Sequence, residues 1–227
     1  MRSGFQRSVH WGNMRSHWFL AAALAASSSL AFSQSFEASV GGGQTSIPSK
    51  NGDIGTSTAD PTSGTYTMKS GVRITARMAI NTGRFTGHEF GYAYSRTKLE
   101  APSYTGTVTG INGLPVQQTV PASELSVPSH QGFYDFLVYA LPEGSHVRPF
   151  AAGGVQFTAF SQPNSYNYNR ETKYGINYGG GVKFKVKDNW GFRLDVRQYN
   201  MGKPFKLPNV SGRLLMWEFS GAISFLL

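Results

Sequence analysis

Eight charged residues occur where the sequence alternates with period two: Arg73, Arg77, Glu89, Lys183, Arg193, Asp195, Arg197 and Glu218. Most have apolar or aromatic residues on either side, as in Val72-Arg73-Ile74 and Trp217-Glu218-Phe219. In an extended chain, neighbouring side chains point to opposite faces. The charges therefore share a face with small and polar residues, away from the apolar one. If that face is enclosed, its ions must pair, because an unpaired buried ion costs several kcal/mol. Counting across two tight turns places Lys183 opposite Asp195 and Arg77 opposite Glu89. The chemistry open to such a set is either a fixed polar plug or a narrow ion path gated by switchable pairs.

Covalent chemistry has a thinner basis. There is no cysteine, so disulfides, thiolate metal sites and a cysteine nucleophile are excluded. His130, with Ser126, Ser129 and Asp135 nearby, has the residue types of a nucleophile–base set. No His-x-Ser pair accompanies it. Gly41–Gly43 and Gly179–Gly181 match no phosphate loop and lead into no helix. Small residues there leave room for long basic chains opposite. No metal-ligand cluster is apparent, and no cofactor is expected. A second basic set, Arg170, Lys173, Lys203, Lys206 and Arg213, lies in and beside two connecting segments.

The elements that must position these groups are strands. Tyr174 to Tyr199 alternates through Tyr174, Ile176, Tyr178, Val182 and Phe184, turns at Asp188-Asn189-Trp190, and resumes through Phe192, Leu194 and Val196. That is a hairpin with one apolar face. Six further strands are predicted: Ser35 to Thr45, Lys69 to Ile80, His88 to Lys98, Phe133 to Leu141, Val147 to Phe160 and Leu214 to Leu227. The alternation of Phe133 to Leu141 is too poor to assign its faces. Pro149-Phe150 breaks the phase of the next strand and suggests a bulge. Connections alternate strictly between long and short. The long ones are Ser46 to Met68, Leu99 to Gly132, Ser161 to Thr172 and Asn200 to Arg213. Eight strands, sorted loops and an apolar outer face predict an all-β fold. It is an eight-stranded antiparallel up-and-down transmembrane β-barrel with short periplasmic turns and long outer loops. Closure is required because lipid cannot satisfy an open sheet edge.

Residues 1–33 read as a signal peptide. Arg2, Arg7 and Arg15 precede the apolar run Trp18 to Phe32, and Ala31-Phe32-Ser33 fits a cleavage site. Met14 is an alternative initiator. Residues 34–227 form the barrel domain. A net charge of +9 normally raises nucleic acid as a partner, but the charges are spread and the signal exports the chain. Nucleic acid is therefore not expected.

Eight alternating strands, the loop sorting and the final GAISFLL resemble the small outer-membrane barrels of the OmpA/OmpX type, the porin-like β-barrel domain family. The nearest local matches are VRPFAAGGVQF at Val147 to Phe157 and KVKDNWGFRLDVRQY at Lys185 to Tyr199. The resemblance covers the whole chain after the signal. It implies a monomer in the cell outer membrane, assembled by the barrel-assembly machinery through its last strand. Terminal Leu227 departs from the usual phenylalanine, so Phe225 would serve. No peptidoglycan-binding domain is expected after the last strand. Arg170, Lys173, Lys203, Lys206 and Arg213 become candidate lipopolysaccharide contacts, since cations near a surface attract anionic lipid. The expected role is non-enzymatic and structural: membrane integrity, or adhesion through the outer loops. The alternatives are a narrow porin-like channel for ions or small solutes, and a lipid A-modifying enzyme centred on His130.

Overall fold

A computed structural model describes residues 35–56, 64–161 and 170–227. The proposed signal peptide lies outside the described residues. Period-two segments become β1 (Ser35–Ser46), a helical turn α1 (Ser49–Gly52) and β2 (Asp53–Thr56). Then come β3 (Thr65–Asn81), β4 (Thr86–Ala101), β5 (Tyr104–Thr109) and β6 (Pro115–Val120). The chain continues with β7 (Ser123–Tyr139), β8 (Val147–Phe160), β9 (Glu171–Lys185), β10 (Trp190–Gly202) and β11 (Arg213–Leu226).

Eight of these close a barrel. The order runs β1-β11-β10-β9-β8-β7-β4-β3, and β1 also pairs with β3. Val40 thus faces Ile223 on one side and Ala76 on the other. Every neighbouring pair is antiparallel. β2 pairs with the upper part of β3, beyond the end of β1. β5 and β6 form a separate hairpin inside the second long connection. Among the described residues no helix is long and apolar enough to cross a membrane. The crossing belongs to the strands.

The outer wall carries Val40, Ile74, Met78, Phe90, Leu194 and Ile223, all more than half exposed. Here exposure means contact with lipid. The interior is filled in three layers. The middle layer is ionic. Towards the outer end lies an apolar layer of Met68, Leu99, Val127, Phe160, Met201, Leu214 and Met216. The outer connections add Ile47, Ile54, Phe205 and Leu207 to it. Towards the periplasmic end Ala79, Leu137, Tyr139, Phe150 and Ala152 pack together.

Three expectations are corrected. The fourth barrel strand begins at Ser123, not Phe133, and the third runs to Ala101, so much of the expected second loop is sheet. The poor alternation of the fourth strand has a simple cause. Phe133, Leu137 and Tyr139 point inward with Asp135, so both faces are partly apolar. Finally, β8 has no bulge at Pro149. Its register with β7 and β9 is continuous, with Arg148 and Phe150 inward and Pro149 outward. Among the described barrel strands, the register breaks instead in β3, between Lys69 and Val72.

Candidate functional site

The middle of the barrel gathers four arginines and four carboxylates from five strands. Alternation turns Arg73 and Arg77 inward from β3, Glu89 from β4, Asp135 from β7, and Arg193, Asp195 and Arg197 from β10. Glu218 comes from β11. Arg193 holds Asp195 with two hydrogen bonds of 2.8 Å and donates a third to Glu89 at 2.6 Å. Arg197 donates to Glu89 at 2.8 Å and to Asp135, and lies 3.3 Å from Asp195. Arg77 reaches Glu218 at 2.6 Å and stands 3.6 Å from both Glu89 and Asp195. Arg73 pairs with Glu218 at 2.9 Å and donates to Ser95 at 3.0 Å, to Tyr199 at 3.2 Å and to Gln131. Tyr199 and Ser220 each donate to Glu218 at 2.6 Å. These ion-pairing side chains are essentially inaccessible to solvent.

Aromatic rings seal the layer. The Arg73 guanidinium lies 4.8 Å from the Tyr199 ring, Arg77 5.7 Å from Phe133, and Arg193 4.9 Å from Phe150. Cation–π contact of this kind strengthens as water is excluded. Space for Phe133 is made by Gly91, where a Cβ would meet the ring at 2.0 Å. Chemically the layer is self-neutralising and crosslinks strands far apart in sequence. It is built to hold a narrow barrel in one arrangement.

All eight of the charges expected on one face are inward, but two partnerships differ from expectation. Lys183 stands across from Arg193, not Asp195. Its ammonium instead meets Glu37 of β1 at 2.5 Å and Tyr139 at 2.9 Å. Arg77 stands across from Gly91, and meets Glu89 only diagonally. Both registers differ from the expected ones by two residues, because each turn is centred one residue away from where it was counted. A shift of two preserves the face and changes the partner. Glu37, Gln131 and Tyr199 are additional to the expected set, and Asp135, expected beside His130, belongs to the ion layer through Arg197. Glu37 was legible, since it alternates with Phe36 and Ala38. The inward facing of Asp135 was hidden by the mixed faces of β7.

The interior is closed towards the outside. Phe205 packs against Phe160 with ring centroids 6.3 Å apart, and Leu207 is buried beside it. Phe205 and Lys206 both adopt positive φ, costly for non-glycine residues. The Phe205 amide donates to Glu171 at 2.5 Å, and Thr56 donates from its amide to the Pro208 carbonyl at 3.0 Å. These contacts tie the outer connections over the barrel mouth. At the periplasmic mouth a cavity of about 150 Å³ opens beside Glu37, Lys183, Arg148 and Glu143.

The remaining candidates are dispersed. His130 faces outward, with its Nδ1 2.5 Å from the Tyr92 hydroxyl. Ser129 and Asp135 point into the barrel, and Ser126 accepts a hydrogen bond from Arg96 at 2.7 Å. The strand therefore turns Ser129 and Asp135 away from His130, and Ser126, on the same face as His130, lies four residues along the strand and is held by Arg96. Among the described residues no group of histidines and carboxylates is placed to hold a metal ion. Of the outer basic set, Arg170 and Lys206 are exposed and Lys203 is half-buried. Lys173 pairs with Glu171 at 2.8 Å, and Arg213 donates to the Asn200 carbonyl at 3.2 Å.

Comparison with solved structures finds the same architecture. The outer membrane protein OprG of Pseudomonas aeruginosa aligns with a TM-score of 0.60 at 13% identity, covering 85% of this chain and 95% of OprG. The N-terminal barrel domain of Pseudomonas aeruginosa OprF (TM-score 0.47, 10% identity, 84% of this chain and 97% of that one) is also similar. So is Neisserial surface protein A (TM-score 0.44, 14% identity, 85% and 96%). Comparison with curated protein sequences finds no match. The family model described as "Outer membrane protein beta-barrel domain" matches residues 19–214. With the closed eight-stranded barrel, this match settles family and place together: the chain belongs to the outer membrane protein β-barrel domain family and resides in the cell outer membrane.

Proposed function

We propose that this protein is a non-enzymatic barrel with a closed lumen that works at the cell surface by adhesion through its outer connections. The observation that carries this reading is the extension of β4 and β7. Every residue of β4 pairs with β7, from Thr86 opposite Val138 to Ala101 opposite Ser123. Spanning lipid takes about 9–11 residues of a tilted strand, and these strands have 16 and 17. The excess projects outward and carries the β5–β6 hairpin. Val108, Ile111, Leu114, Val116 and Val120 are all exposed there. A stiff stalk ending in exposed apolar residues, on a wall otherwise sorted by solvent, suits contact with another surface.

The filled interior supports the same reading over a channel, because guanidinium–carboxylate pairs occupy the path. The separation of His130 from Ser129 and Asp135 supports it over a lipid-modifying enzyme. The test is deletion of Tyr104–Val120, closed by a short Asn-Gly turn. Bacteria displaying the intact protein are expected to adhere to an apolar-coated surface several-fold better than those displaying the deletion variant. Both proteins must be present as folded barrels in the outer membrane. Equal adherence would sink the proposal.

A further inference from the structure

The β3 bulge has a consequence on the outer wall. Between Lys69 and Val72, β3 advances three residues while β4 advances two, from Lys98 to Arg96. One residue is added, and a one-residue insertion exchanges the faces. Below the bulge the odd residues Arg73, Thr75 and Arg77 are inward. Above it Tyr66 and Met68 are inward. Lys69, which unbroken alternation from Arg73 would bury, is turned out to lie directly opposite Lys98.

The bulge is specified by sequence. A Cβ at Gly71 would meet the Arg96 carbonyl oxygen at 2.0 Å. The Thr45 hydroxyl accepts from the Gly71 amide at 3.2 Å and donates to its carbonyl at 3.1 Å, satisfying the disrupted ladder.

The result is an ordered stack on the lipid side of β3, β4 and β7. Ile74, Tyr94 and His130 form one rung, with Tyr92 just below. Aromatic residues of this kind mark the level where hydrocarbon meets headgroups. The next positions upward hold exposed Arg96, and then the pair Lys69 and Lys98. Above these stand Glu100 and Glu124, also directly paired. Like charges directly opposite on adjacent strands destabilise a sheet, so the lysine pair calls for an anion. The carboxylates above reach Lys69 and Lys98 at 3.0 Å. All four side chains are between about two-fifths and three-fifths exposed, and exposed pairs of this kind contribute roughly 0–1 kcal/mol. A phosphate can therefore replace them. The three bases line a groove of about 790 Å³ with Gln44 and Ser126.

We propose that this groove, built by Lys69, Arg96 and Lys98 around the β3 bulge, binds the phosphorylated headgroup of outer-leaflet lipopolysaccharide. The site lies on the barrel wall, apart from the outer-loop bases and from the β5–β6 hairpin, and does not depend on the adhesive role.

The experiment uses protein expressed from the full chain and extracted from outer membranes in mild detergent. Lipopolysaccharide affinity is measured in mixed micelles, and co-purifying lipid by native mass spectrometry. R96E/K98E is expected to lower affinity at least about thirtyfold, from about 1 kcal/mol for each cation lost near the surface. K206E/R213E, on the outer connection, is expected to leave it within about twofold. Lipopolysaccharide stripped of its phosphates should bind the unaltered protein as weakly as intact lipopolysaccharide binds R96E/K98E. If R96E/K98E fails to fold, R96Q/K98Q is measured in its place, with the same direction expected. Unchanged affinity in the folded wall variant, or loss only in the loop variant, overturns the proposal. So does inorganic phosphate that competes as well as the lipid does, since the site would then read a free anion.

Discussion

At the scale of single residues, the interior is a set of ions that cannot be removed one at a time. Asp195 accepts two hydrogen bonds from Arg193 and lies near Arg197 and Arg77. Asp195→Ala would leave three buried guanidiniums short of a partner. Breaking one member of a buried network costs about 3–5 kcal/mol, and we expect that loss in urea unfolding of the detergent-solubilised barrel. An unchanged midpoint would contradict the account. The face of each of these residues could be read from alternation alone. Their partners could not. Lys183 was expected at Asp195 and is found at Glu37, a residue 146 positions away in sequence. Nothing local encodes that meeting, because β1 and β9 approach only across the closed interior.

At the scale of elements, small residues decide where bulky ones fit. Gly91 on β4 stands across from Phe133 on β7, and the Phe133 ring occupies the volume that a side chain at 91 would need. Gly91→Val is expected to destabilise by about 1–3 kcal/mol, the usual range for overpacking. Adding Phe133→Ala should recover part of that loss. In a double-mutant cycle the coupling should exceed about 0.5 kcal/mol and favour the double variant. Strictly additive losses would mean that the ring and the glycine are independent. The strands themselves were legible where one face is apolar and the other small or charged. They were illegible where both faces carry apolar residues, as in β7, or where polar composition above the lipid reads as loop. The β3 bulge was equally hidden. Its markers, Ser70 and Gly71, are ordinary in a strand, and its partner Thr45 belongs to another one.

At the scale of the whole molecule, closure and filling act together. An eight-stranded barrel is just wide enough for side chains to fill. Here an ionic layer lies beneath an apolar layer, with Phe205 and Leu207 brought over the mouth by the outer connections. The protein in a planar bilayer is expected to be silent at moderate voltage. Steady single-channel steps that shift when Glu89 or Asp195 is neutralised would contradict the closed interior and restore the channel reading. The same filling explains why the composition of the sequence pointed in two directions. Inward charges are common to a pore lining and to a plug, and they differ only in whether each finds a partner.

Sequence by itself determined the architecture. Period two sorts side chains between lipid and interior. The alternation of long and short connections orders the strands around the barrel, and lipid demands that the sheet close. Those are local or averaged properties, and a slip of two residues leaves them intact. Only the tertiary structure decided the ion partners, the closed mouth, the height of the β4–β7 stalk and the outward turn of Lys69. Each depends on register between strands or on a loop folding back over the barrel. Such contacts are set by which residues meet across the closed sheet, and that is information no single stretch of chain contains.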